Sequence, residues 1–217
     1  MNLLRAAFCL ALLTAAAQVP VRAQEKIDAA AEGARLKGKD PGARLQALDR
    51  LRRARTPEAR SAILSALRAE KRGSTRAGLV SALAENPSPE VSVESVRLLR
   101  DKADPPSRLA AARTLGYARG AEGFSALRAV ALDPGESSML RVRALSSLSR
   151  YSGPEAVEVF SQALKDGDPF IRRQALLIFS AAYPQEVALP RVRAAVDDED
   201  ASVRESAQRT LKEWKTE

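Results

Sequence analysis

The chain has 217 residues, a length that suits one or two domains, and 45% of its residues are hydrophobic although only 4% are aromatic. Alanine, leucine and arginine are abundant and favour helices, whereas β-branched and aromatic residues are too few for a β-rich fold. The 35 Lys and Arg against 27 Asp and Glu give a net charge of +8. Histidine is absent and Cys9 is the only cysteine, which excludes an intrachain disulfide, a Cys/His zinc site and a histidine-based catalytic triad.

Residues 1–23 have the pattern of a cleavable signal peptide. Arg5 supplies a positive charge, residues 6–17 are apolar, and compact residues precede a cleavage site after Ala23. Cleavage after Ala17 is the second choice, and an uncleaved anchor is the alternative. The apolar stretch is shorter than the roughly 20 residues that a membrane-spanning helix needs. We therefore expect a periplasmic or secreted protein with no transmembrane span after cleavage.

Residues 24–39 are a polar segment between this signal and the first repeat. They are predicted to form either an N-terminal capping helix, with Ile27 and Leu36 facing inward, or a flexible linker.

From Asp40 to the C-terminus, three columns of residues recur with a period close to 32. The central column holds a small or aliphatic residue at Ala47, Leu79, Ala111, Ala144, Ala175 and Ala207. Three residues before it stands an arginine, namely Arg44, Arg76, Arg108, Arg141, Arg172 and Arg204. Four residues after it stands a large apolar residue. Positions at this spacing share one face of an α-helix, so the columns predict a repeated amphipathic helix.

A second helix is predicted in each unit. Its apolar positions recur with the same period at Leu67, Leu99, Leu132, Leu164 and Val196. Asp-Pro pairs introduce most first helices and X-Pro pairs introduce most second helices, which suits an N-cap followed by proline in the first turn. Asp133-Pro134 is expected to introduce a first helix after a longer approach.

Two segments carry a family resemblance. DPFIRRQALLIF, residues 168–179, and DASVRESAQRTL, residues 200–211, resemble the core of the HEAT-repeat family, including the short HEAT-like units of phycobilin lyase subunits. The resemblance implies an all-α fold, a right-handed α-solenoid of about five helix-turn-helix HEAT-like repeats plus a terminal helix, over residues 40–217. The second unit departs from the pattern, because Gly73-Ser74 replaces the aspartate cap and Leu79 replaces alanine.

The arginine column is expected to be structural. In four units an aspartate stands four residues before the arginine, at Asp40/Arg44, Asp104/Arg108, Asp168/Arg172 and Asp200/Arg204. This spacing places both side chains on one helix face. The resemblance implies a ladder of such pairs linking adjacent repeats, with Arg76 and Arg141 as further members.

The sequence offers no recognised catalytic or metal site. Nucleotide-binding loops are absent, and the acidic run at residues 197–200 lacks the pattern of a calcium loop. HEAT-type deoxyhypusine hydroxylases use His-Glu pairs as iron ligands, and this chain has no histidine. We therefore expect no catalytic residues, no metal and no cofactor, and a protein that is not an enzyme.

Binding is the expected function. The resemblance implies that second helices line the concave surface, where a protein or peptide would bind at Arg60, Arg68, Arg97, Arg100, Arg128, Arg191 and Arg193. The main hypothesis is a protein-binding scaffold of the cell envelope.

The uneven charge distribution supports an alternative. Residues 24–120 hold 20 Lys and Arg against 12 Asp and Glu, whereas residues 121–217 hold 13 against 15. The basic N-terminal repeats could therefore bind a polyanion such as anionic lipid, glycan or nucleic acid. The export signal and the scarcity of aromatic residues argue against nucleic acid.

Overall fold

The structure is a computed structural model that describes residues 27–214. Within this range the chain forms twelve α-helices and a 3-10 turn at Ala195–Asp197, and no strand. The helices are α1 (Ala29–Leu36), α2 (Pro41–Ala54), α3 (Pro57–Ala69), α4 (Gly73–Leu83), α5 (Pro89–Arg100), α6 (Pro105–Ala118), α7 (Ala121–Leu132), α8 (Ser138–Leu148), α9 (Pro154–Ala163), α10 (Pro169–Ala182), α11 (Gln185–Ala194) and α12 (Ala201–Trp214).

The helices from α2 onward form five pairs and a terminal helix. The first helices of the pairs are α2, α4, α6, α8 and α10, they continue in α12, and each contacts the next. The second helices are α3, α5, α7, α9 and α11, which pack against the first helix of the following repeat. The predicted all-α solenoid of about five repeats plus a terminal helix is confirmed.

The segment before the first repeat contains a helix, α1. The carboxylate of Asp28 accepts hydrogen bonds from the backbone N–H groups of Ala30 and Ala31, both at 3.0 Å. Leu36 is buried, and α1 packs against α2 and α3. The helical alternative is therefore the one observed for residues 29–36. The predicted signal peptide, residues 1–23, lies outside the described residues.

The starts of the first helices follow the capping rules with two exceptions. Aspartates cap α2, α6 and α10, and proline follows in the first turn. Helix α8 is instead capped by Ser137, because the Asp133 carboxylate accepts a hydrogen bond from Gly135 in the preceding turn. Helix α4 has no side-chain cap, in agreement with the loss of the aspartate there.

The core lies between the two helix layers and is continuous along the solenoid. All six residues of the central column are buried, and the small volume of the five alanines among them lets successive first helices approach each other. The approach is closest where Gly116 of α6 faces Ser147 of α8, since a Cβ atom on Gly116 would lie 2.9 Å from that of Ser147. Further along, Phe160 and Phe179 stack with ring centroids 5.2 Å apart. Dense packing therefore characterises the C-terminal repeats.

Candidate binding site

The six arginines of the column, here called the arginine ladder, lie where adjacent repeats contact each other. Arg108 shows the arrangement most completely. Its Nε donates to the carbonyl oxygen of Leu99 at 2.8 Å, in the preceding repeat, and its guanidinium donates to the carboxylate of Glu136 at 2.8 Å, in the following loop. One buried side chain therefore bridges two inter-repeat loops.

The same bridge recurs at Arg141 and Arg172. Arg141 donates to the carbonyl oxygen of Ala131 at 3.1 Å and to the carboxylate of Asp166. Arg172 donates to the carbonyl oxygen of Asp166 at 2.8 Å and to the carboxylate of Asp198 at 2.8 Å. Since a guanidinium offers five donors in a planar fork, one arginine can satisfy both groups.

The N-terminal members of the ladder make simpler contacts. Arg44 forms an ion pair with Glu70, and Arg76 forms ion pairs with Asp104 at 2.9 Å and with Asp101 at 3.5 Å. Their side chains are also more exposed, at 18% and 13%, than that of Arg141 at 3%. At the other end, Arg204 donates to the carbonyl oxygens of Asp198 and Glu199.

The predicted partners of the ladder are wrong, although the predicted arginines lie at the repeat boundaries. Within residues 27–214 the carboxylate partners of the first five ladder arginines are acids 25 to 28 residues further along the chain, not the aspartates four residues earlier. Asp40, Asp168 and Asp200 instead accept hydrogen bonds from N–H groups of their own first turns. Asp104 does likewise and pairs with Arg76 of the repeat before. A carboxylate that caps a helix points toward the first N–H groups of that helix and therefore away from the arginine four residues later.

The ladder acids have lowered pKa values. Hydrogen bonds from the backbone N–H of Arg72 and from the guanidinium of Arg44 lower the pKa of Glu70 to about 2. Hydrogen bonds from Arg108 lower the pKa of Glu136, and those from Arg172 lower that of Asp198. Each of these acids is therefore ionised at neutral pH and contributes an ion pair to its junction.

The structure divides the seven arginines of the predicted binding surface into two groups. Arg60 and Arg191 are half-buried, donating to Asn86 at 2.8 Å and to Ser161 at 2.8 Å respectively, so they are committed to packing. The other five are exposed on the second helices, namely Arg68, Arg97, Arg100, Arg128 and Arg193.

A buried glutamate brings two of the exposed arginines together. Glu94 of α5 is 6% exposed and accepts a hydrogen bond from Arg97 at 2.6 Å, and its other oxygen lies 3.7 Å from Arg68 of α3. The exposed Val93 lies on the same helix, one turn before Arg97. The sequence analysis missed Glu94, although its three-residue spacing from Arg97 is typical of a helical ion pair.

Beside this group lies a pocket of 310 Å³ between α5 and α7. Arg100 and Lys102 line it together with the small residues Ala126 and Ala129, and the acidic residues Glu122, Asp133 and Glu136 line it as well. The ladder pair Arg108–Glu136 lies at its edge. The second-helix face, defined by Arg68, Val93, Arg97, Arg100 and Arg128, thus combines positive charge, an apolar side chain and a recess.

Two further observations concern the residues from 27 to 214. No group of three or more acidic, histidine or cysteine side chains is placed to hold a metal ion there. No helix in this part of the chain is long and apolar enough to cross a membrane.

Three solved structures resemble this fold at low sequence identity. The complex of CpcE and CpcF of phycocyanin lyase from Nostoc sp. PCC7120 has a TM-score of 0.59 at 18% identity, over 86% of this chain and 76% of that chain. Human deoxyhypusine hydroxylase in complex with glycerol has a TM-score of 0.40 at 19% identity, over 87% and 96%. An engineered protein has a TM-score of 0.49 at 20% identity, over 88% and 97%.

These similarities overturn one expectation. We expected a protein that is not an enzyme, but the chains that share this fold include a phycocyanin lyase, which is an enzyme. The fold therefore does not exclude catalysis.

Sequence comparison identifies the family. No curated protein sequence matches the chain. The family described as HEAT repeats matches residues 93–176 and 131–212, which together span 120 of the 217 residues. Matches over more than half of the chain, together with the helix pairs described above, show that this chain belongs to the HEAT-repeat family.

Proposed function

We propose that the chain is a protein-binding scaffold of the cell envelope and that its partner contacts the second-helix face. The HEAT-repeat fold supports a binding role, because stacked repeats present extended surfaces to proteins or peptides. The signal-like residues 1–23 support the envelope.

The observation that carries the proposal is the arrangement around Glu94. This buried carboxylate accepts hydrogen bonds from Arg97 and lies 3.7 Å from Arg68 of the neighbouring repeat, so Arg97 is held in position before a partner arrives. Ordering arginines in advance lowers the entropic cost of binding, and arginine is enriched at protein interfaces. The adjacent pocket of 310 Å³ gives the same surface a place for a partner side chain.

The test of the surface is cross-linked affinity capture from an envelope fraction. The variant carries Arg100→Glu and Arg128→Glu, two exposed residues of the second-helix face that leave the Glu94 group intact. The control carries Arg143→Glu and Arg209→Glu, which change the net charge equally on exposed positions of first helices.

We expect parent and control to recover one discrete protein that the variant loses. Recovery by all three chains would show that the partner does not use the second-helix face. Recovery of lipid, glycan or nucleic acid alone, removed by raising the salt concentration, would instead favour the polyanion alternative.

The envelope location is tested separately by expressing the full chain with its N-terminus intact. We expect the periplasmic or secreted fraction to contain a chain that begins at Gln24, measured by mass spectrometry. A chain that retains Met1 and stays in the cytoplasm would contradict the proposed location without affecting the proposed surface.

A further inference from the structure

One junction between first helices is incompletely filled. The residue after the central column is fully buried at the four later junctions, in Val80, Ala112, Leu145 and Leu176. At the first junction, between α2 and α4, the equivalent Leu48 is only half-buried. Leu45 of the same helix is 70% exposed, the largest exposed fraction of the large apolar residues described.

Two small residues of α4 line the space beside Leu48. Gly78 and Thr75 occupy positions that hold Gln174 and Ile171 in the tight junction of α10. A Cβ atom added to Gly78 would meet no atom within 4 Å, so the helix leaves open space in front of Leu48. The result is a groove of 260 Å³ lined by Leu36, Leu45, Leu48 and Leu79, here called the α2/α4 groove.

The charged lining of the groove is entirely basic. Lys39, Arg44 and Arg72 are its charged residues, and no acidic residue lines it. Arg44 and Arg72 both pair with Glu70, although Arg72 remains 65% exposed, and Lys39 is exposed with no ion pair among the described residues. An apolar recess with a basic margin is complementary to an apolar side chain flanked by carboxylates.

We propose that the α2/α4 groove binds an acidic peptide segment of a partner protein, which inserts a large apolar side chain between Leu45 and Gly78. The groove lies on the first helices and is separate from the second-helix face. A second copy of the chain that docks through its own N-terminal half fits less well, because residues 24–120 carry 20 basic against 12 acidic side chains and would repel their like. A lipid surface also fits less well, because insertion needs a protruding apolar face and only Leu45 protrudes here.

The experiment is selection of displayed random peptides of about 12 residues on the purified full chain, followed by affinity measurement on synthetic copies. The test variant is Gly78→Leu, which fills the groove and suits a helix better than glycine does. The control is Gly167→Leu, since Gly167 also has no atom within 4 Å of an added Cβ and lies in a turn far along the chain. Circular dichroism checks that both variants fold.

We expect the parent to enrich peptides that carry Leu, Ile or Phe beside two or more Asp or Glu. Gly78→Leu should weaken the binding of these peptides at least about ten-fold, because their apolar side chain can no longer enter the groove and one interface anchor is lost. Gly167→Leu should leave the affinity unchanged. Lys39→Glu should weaken binding more at low than at high salt, and Lys165→Glu in another exposed turn should not. Arg100→Glu with Arg128→Glu should leave it unchanged, so this test and that of the second-helix face can fail independently.

Four results would overturn the proposal. The first is no enrichment, and the second is enrichment of peptides that bind Gly78→Leu as tightly as the parent. The third is a parent dimer that Gly78→Leu dissociates, which would assign the groove to a second copy. The fourth is binding to vesicles of anionic phospholipid that Gly78→Leu abolishes, which would assign it to a membrane.

Discussion

The junction of α2 with α4 and that of α8 with α10 are built on the same pattern but differ in tightness. At the junction of α8 with α10, Arg141 is almost wholly buried and contacts a carbonyl oxygen behind it and a carboxylate ahead. At the junction of α2 with α4, Arg44 is partly exposed, and Leu48 remains half-buried. The same repeat motif can therefore hold adjacent repeats tightly together in the C-terminal half and leave surface available for binding in the N-terminal half.

The largest effect is expected from breaking a tight junction. Arg141→Ala should lower the free energy of unfolding by about 3 kcal/mol or more, because Asp166 and the carbonyl oxygen of Ala131 lose a buried charged donor. Urea denaturation measures the change. Arg143→Ala, at an exposed position of the same helix, is the control. Equal stability of the two variants would refute a structural role for the ladder.

The next largest effect is expected from adding a Cβ atom where α6 packs closely on α8. Gly116→Ala should lower the free energy of unfolding by about 1–3 kcal/mol, because the new Cβ would lie 2.9 Å from Cβ and 3.0 Å from Cα of Ser147. Backbone atoms cannot move aside as a side-chain end can, so α6 and α8 must separate. A variant as stable as the parent in urea denaturation would show that this junction can relax.

A smaller effect, which depends on pH, should distinguish the first junction. The pKa of Glu70 falls from 4.5 to about 2 in the folded chain, so its contribution is complete above pH 4.5 and is lost as the pH falls toward 2. Glu70→Gln should therefore destabilise the chain at neutral pH and reduce the further loss between pH 4.5 and 2. Arg44→Gln should act in the same direction. Denaturation midpoints across this range provide the measurement, and an unchanged slope in both variants would contradict the pairing.

The smallest effect has the opposite sign. Gly78→Ala should raise the free energy of unfolding by about 0.5–1 kcal/mol, because alanine suits a helix interior better and the new Cβ meets nothing within 4 Å. Compared with Gly116→Ala, the same substitution would then stabilise the loose junction and destabilise the tight one. Destabilisation by Gly78→Ala in thermal melting would show that α2 and α4 approach more closely than described.

The repeat pattern was enough to predict the fold but not the contacts between repeats. The columns through Ala47 and Arg44 identified first helices because residues three and four apart share a helix face. The same local reasoning paired Arg172 with Asp168, whereas its carboxylate partner is Asp198, in the next loop. The ladder acids do not recur at a fixed spacing, so no column marked them.

The candidate surfaces required three-dimensional packing. Arg60 and Arg128 are equivalent as charges in the sequence, but only the structure shows that the first is bonded to Asn86 and the second is exposed. The α2/α4 groove had a partial signal in the sequence, since Thr75 and Gly78 stand where α10 carries Ile171 and Gln174. The sequence could not show that these positions form a groove, because the groove depends on the half-burial of Leu48, which no local pattern predicts.

The unequal bridging by the arginine ladder has a mechanical consequence. In a solenoid each repeat contacts only its neighbours, so a pulling force applied at the two ends passes through every junction in series. The junction of α2 with α4, with a partly exposed ion pair and an unfilled recess, would open at lower force than that of α8 with α10. Extension would therefore begin next to the N-terminus, and a ligand lodged in the recess would stiffen the chain at the point where it otherwise yields first.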